Sequence, residues 1–209
     1  MTRLASTLLL YVLLINQEAM AEDSSGERFI ELAIGHGADH NLQELPGEIV
    51  AGSINWDATH YVGIYSGKQF SSLGNTFPFL ANTLLSGVQQ GYTLSVLKHS
   101  GLQDNLEAAA AYTLTTPALR LGPIATNLSV GAGFSYAFSR PSYEDGPISA
   151  PDRRYRGQFC LLIENEWRLR QHEQWRLVFR VHHRSGVYGV IAPRNVGSNF
   201  LGLGIRRVF

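Results

Sequence analysis

The chain has 209 residues and carries 17 Lys and Arg against 17 Asp and Glu, a formal net charge of +0 with histidine neutral. That balance removes the basic face that nucleic-acid binding needs, so no nucleic-acid partner is expected. With Cys160 as its only cysteine the chain can form no intrachain disulfide, and 21 glycines with a charged fraction of 16% suit a sheet protein with many turns.

Arg3, an apolar run from Leu8 to Ile15 and the small-residue pattern Ala19-Met20-Ala21 have the order of a secretory signal peptide. Cleavage is expected before Glu22, leaving residues 22–209 as one domain. The apolar run is too short to span a bilayer as a helix, which takes about 20 residues, and no later segment offers such a run.

Downstream, period-2 alternation dominates. Candidate strands are Arg28–His36, Ile49–Trp56, Thr59–Gly67, Gly91–Lys98, Leu106–Thr115, Asn127–Phe138, Gly157–Arg170, Gln174–Gly186 and Asn199–Phe209. Bacterial barrels close with even strand numbers, so one of these is wrong or two belong to one bent strand, and Ile49–Trp56 and Thr59–Gly67 are the doubtful pair. Phe77–Gln90 is the only stretch that reads as a short helix. Residues 139–153 and 186–197 read as long loops and 170–174 as a short turn.

The last strands separate two faces. Trp175, Leu177, Phe179 and Val181 share one side, and Arg176, Arg180, His182 and Arg184 the other. A soluble sandwich or lipocalin-like binder would turn the greasy side inward, whereas a membrane barrel turns it to lipid and lines its lumen with charge. Glu164 and Glu166 can meet Arg176, Arg180 and Arg206 from neighbouring strands, which favours a narrow lumen. Phe209, closing an alternating strand, looks like the C-terminal signature of outer-membrane barrels. The expected fold is therefore an all-β, antiparallel transmembrane barrel of eight strands in a bacterial outer membrane. Its short 170–174 turn would lie in the periplasm and its 186–197 loop outside. Trp56, Tyr61, Trp167 and Trp175 suit aromatic girdles, and Cys160 falls on the lumen face as a small filler.

His183 and Ser185 continue the greasy series of their strand. Residues two apart share a face, about 6.5–7 Å apart along it, and an imidazole near a hydroxyl can make serine a nucleophile. A plain headgroup contact explains the same pair. His99, His172, His182 and His183 show no metal spacing, and no cofactor is called for.

The stretches Phe179–Gly186, Asn195–Asn199 and Leu203–Phe209 resemble those of the PagL-type lipid A 3-O-deacylases, with a His-x-Ser, an Asn-x-Gly element and a glycine-containing strand ending in Phe. The resemblance covers about the last quarter of the chain. It implies an eight-stranded outer-membrane barrel that hydrolyses an ester-linked acyl chain of lipid A, with Ser185 as nucleophile and His183 as base. The family's third member is a glutamate on the last strand. Here no Asp or Glu follows Glu173, and Asn199 is the substitute. Asparagine orients an imidazole in Cys-His-Asn sites but adds no charge. The Gly186 backbone N–H is a candidate oxyanion donor, and Arg184, Arg194 and Arg207 are candidate lipid A phosphate contacts. The implied partners are lipid A and the outer membrane, with a homodimer left open. The alternative is a structural barrel without activity.

Overall fold

The computed structural model describes residues 26–144, 155–192 and 196–209. The expected signal peptide, most of the 139–153 loop and Arg194 lie outside the described residues.

Nine strands are found among the described residues: β1 (Arg28–Ala38), β2 (Trp56–Ser72), β3 (Gln89–Gly101), β4 (Leu106–Thr115), β5 (Leu119–Leu121), β6 (Ile124–Ala137), β7 (Gly157–Leu169), β8 (Trp175–Ser185) and β9 (Gly197–Val208). All pairings are antiparallel and follow the order β4-β3-β2-β1-β9-β8-β7-β6. A further β4–β6 pairing closes the ring, so eight long strands make the barrel. The three-residue β5 only extends the start of β6.

The excess candidate was Ile49–Trp56. Its first residues belong to helix α1 (Leu45–Ala51), with Pro46 in the first turn and Gly52 capping the end at φ 69°. Pro and Gly at those two positions fit a helix start and a left-handed stop, and here they override the strand preference of Ile49 and Val50. The expected helix at Phe77–Gln90 is also corrected. Only a single 3₁₀ turn, Pro78–Leu80, forms beyond the Leu73–Thr76 turn, and β3 begins at Gln89. The β2–β3 connection is long and uncharged, at the end that holds the 170–174 turn. It exposes Phe77, Phe79, Leu84 and Leu85.

Alternation decides the inside and the outside. Ile30, Leu32 and Ile34 on β1, Val62 and Ile64 on β2, Leu94 and Val96 on β3, and Leu203 and Ile205 on β9 all project outward. Leu32 is 62% exposed and Ile205 59%. An apolar band of this extent on a monomer's exterior is the surface of a barrel built for hydrocarbon, and it excludes the inward-greasy sandwich. Leu32 pairs with Ile64 on one side and Ile205 on the other, in the middle of that band. Leu32→Arg should therefore cost about 2–4 kcal/mol in lipid, the range for a cation at a bilayer midplane. Urea titration of the protein in vesicles measures this, and a change near zero would mean the band is not in lipid.

The lumen is filled by ion pairs. Arg180 donates to both carboxylate oxygens of Glu31 (2.8 and 3.0 Å) and to Glu164 (2.7 Å). Arg206 bridges Glu31 (2.9 Å), Glu164 (2.7 Å) and Glu166 (3.0 Å). Arg176 reaches Glu166 (2.9 Å) and Glu27. Every expected Glu–Arg partner is thus present. Nearer the other end, Glu107 accepts from His99 and His182, each at 2.9 Å. Glycine makes room for these groups. A Cβ at Gly204 would lie 2.1 Å from Glu31 Oε1, and one at Gly202 would lie 2.3 Å from the Tyr61 hydroxyl. Tyr61 is therefore a lumen residue, 1% exposed, and not part of an aromatic girdle; Trp56, Trp167 and Trp175 do face outward.

Candidate active site

His183, Ser185 and Asn199 lie together on the outer wall, at the end opposite the 170–174 turn. On β8 the even residues Arg176 to Arg184 are buried in the lumen and the odd residues point out, which carries His183 and Ser185 to the lipid side. In register, His183 stands between Leu161 of β7 and Asn199 of β9. Ser185 stands between Phe159 and Gly197. The neighbour of Ser185 must be glycine, because a Cβ at Gly197 would sit 2.2 Å from the Arg184 carbonyl oxygen. Below the pair, Val181 and Leu201 lead into the apolar band.

The His183–Asn199 contact fixes a tautomer. Asn199 Nδ2 donates to the His40 carbonyl at 2.7 Å, and a carbonyl can only accept. The amide oxygen is therefore the atom that meets His183 Nδ1, at 2.7 Å. Nδ1 must carry a proton, and in the neutral imidazole that leaves Nε2 as a free base. This is the imidazole state a general base needs. Asn199 is itself only 8% exposed, covered by the β1–β2 connection that supplies His40. His40 is held in turn, its Nε2 accepting from the Asn55 backbone N–H at 2.8 Å. No hydrogen bond joins Ser185 to His183 among the described residues, and catalytic contacts are often long without substrate.

Three candidate contacts change. Gly186 N–H donates to the Val196 carbonyl at 3.2 Å, so it is committed to the backbone and is not a spare oxyanion donor. Arg184 is buried in the lumen, bonded to Glu144 (2.5 Å), Ser135 (2.7 Å) and the Arg156 carbonyl (2.9 Å), and cannot meet a lipid phosphate. Arg207 pairs in register with Trp175, at the opposite end of the barrel from Ser185. Arg194 lies outside the described residues.

Two supports were not visible in the sequence pattern. Glu144, in the β6–β7 connection, enters the lumen mouth and accepts from Arg184 and from Ser198 (2.8 Å). It thereby ties together the inward neighbours of Ser185 and Asn199. Burial pushes its carboxyl above the usual range, and the Arg184 guanidinium pulls it back. The second is an outward cluster on β1 and β2. His36 stacks on Trp56 at 4.8 Å, lies 4.3 Å from the His60 ring and bonds the Asp57 carbonyl at 2.7 Å. It places three amphipathic side chains on the same rim as His183, at headgroup level.

The fold and its exterior define the class: a closed, antiparallel eight-stranded β-barrel with a hydrocarbon-facing wall. No family model and no curated protein matches the chain. Solved structures resemble it in backbone path. The outer membrane enzyme PagL aligns over 86% of this chain and 98% of its own, at 10% identity and a TM-score of 0.47. Neisserial surface protein A aligns over 88% and 97%, at 10% identity and 0.48. The N-terminal barrel domain of Pseudomonas aeruginosa OprF aligns over 90% and 100%, at 11% identity and 0.45. Likeness at this level concerns shape and says nothing of chemistry.

Proposed function

We propose that this barrel sits in a bacterial outer membrane and hydrolyses an ester-linked acyl chain of lipid A, at the 3-O position, through Ser185, His183 and Asn199. The observation that carries the reading is the His183 Nδ1 to Asn199 Oδ1 bond at 2.7 Å, because in the neutral imidazole it leaves Nε2 as the base, on the outward face that His183 shares with Ser185. Ser185 Oγ attacks the ester carbonyl and His183 Nε2 takes its proton. The tetrahedral intermediate collapses, and the imidazolium returns that proton to the departing sugar oxygen. Water repeats the cycle on the acyl-enzyme and frees the fatty acid. Val181 and Leu201 would hold the acyl chain below the reacting carbon.

Mass spectrometry of lipid A from cells producing the protein tests this. Loss of the 3-O-acyl chain is the expected result, and an unchanged profile in cells with folded barrel overturns it. A second reading, a structural barrel without activity, is favoured by the missing carboxylate and by the absence of a Ser185–His183 hydrogen bond among the described residues. Asn199→Glu separates the two. A carboxylate at that position stabilises the imidazolium by charge, so deacylation should hold or rise; complete loss would show that another group orients His183.

A further inference from the structure

A second apolar site lies at the other end of the barrel. Between β7 and β8, on the outer wall, a groove of ≈ 540 Å³ is lined by Trp167, Leu169, Trp175, Leu177, Phe179 and Ile205, with His172 at its mouth. Its size falls within the range of small-molecule sites, about 300–1,000 Å³. It opens onto the apolar band and ends at the 170–174 turn, so it spans the depth from chain to headgroup.

The mouth is basic. Arg170 and His172 are exposed on the turn, and the exposed Arg207 lies over the Trp175 ring at 5.8 Å. Arg28 follows on β1 and Lys68 on β2, in register with each other. Among the described residues the exposed acidic side chain at this end is Glu173, since Glu27 is bonded to Arg176 inside the barrel. Among the described residues the rim that holds Ser185 mixes both signs, with Asp39, Glu44, Glu48, Asp57 and Asp104 beside Lys98, Arg140 and Arg156. Lys98 there is already paired with Asp104.

We infer that this groove binds an anionic glycerophospholipid of the leaflet opposite the proposed active site. One acyl chain lies against Trp167 and Trp175, and the phosphate meets Arg170, His172 and Arg207. A zwitterionic lipid fills the groove equally well but offers the basic mouth no net charge, so the charge selects the headgroup. The inference rests on the membrane-spanning reading and not on catalysis.

The chain has three tryptophans, and Trp56 lies at the far rim, so the Trp56→Phe variant reports from the groove alone. Its fluorescence is measured in vesicles of brominated phosphatidylglycerol mixed with phosphatidylcholine, and in the converse mixture. Each basic residue near a membrane surface is worth about 1 kcal/mol toward anionic lipid, so phosphatidylglycerol should be preferred by about fivefold or more. Adding Arg170→Gln and Arg207→Gln, both on exposed positions, should bring that preference close to equality while heat-modifiable migration is kept. Equal quenching by the two lipids, or a preference that survives the double substitution, overturns the inference. Absence of quenching by either lipid would instead overturn the membrane-spanning reading beneath it.

Discussion

Ser185→Ala should abolish lipid A deacylation while leaving the barrel folded. The side chain faces outward beside Gly197 and Phe159 and takes no part in the lumen network, so its removal changes chemistry and not packing. Loss of the nucleophile in a hydroxyl–imidazole pair lowers turnover by about a millionfold where it has been measured in serine hydrolases. His183→Ala should be as severe, and the double variant no worse than either, because the two act as one unit. Asn199→Ala should cost less, since it removes an orienting contact and leaves both reacting groups. Lipid A mass spectra from cells producing each variant, beside heat-modifiable gel migration as the check on folding, give the ranking. Wild-type deacylation that persists in folded Ser185→Ala would end the Ser–His assignment.

Arg180→Ala should be the most destabilising change in the lumen, by about 3–5 kcal/mol, the cost of leaving buried charges without their partner. It strips two hydrogen bonds from Glu31 and one from Glu164, and it removes the guanidinium that stacks on Tyr65 at 3.5 Å. Arg206 still reaches both carboxylates, but one cation then faces two anions in a sealed interior. Glu31→Gln should cost less, because the amide oxygen still accepts a hydrogen bond and the loss of an anion leaves Arg180 with Glu164. Urea unfolding in lipid vesicles measures both. An Arg180→Ala cost under about 1 kcal/mol would mean that the lumen admits enough water to solvate the freed carboxylates.

The alternating strands were legible because period 2 places every second residue on one face, and membrane barrels keep that rule along their length. The series from Trp175 to Ser185 therefore gave the outward side of His183 and Ser185, and the matching series on β9 gave that of Asn199. The Glu–Arg partners were legible for the same reason, since all of them share the lumen parity. At Arg184 alternation gives the face and not the partner. Its parity already pointed inward, and only the observed Glu144 contact shows that a loop residue fixes it there.

Residue order by itself determined the eight long strands, the faces of the last ones and the positions of the imidazole and the hydroxyl, because these follow from local alternation. The tertiary structure decided what distance along the chain conceals. It set the β4–β6 closure and the His40 carbonyl that turns the Asn199 amide toward His183. It also placed Arg207 and the Trp167–Trp175 groove at the end away from Ser185. Such contacts depend on where connections without periodicity come to rest, and only the closed ring of hydrogen-bonded strands fixes their ends in space.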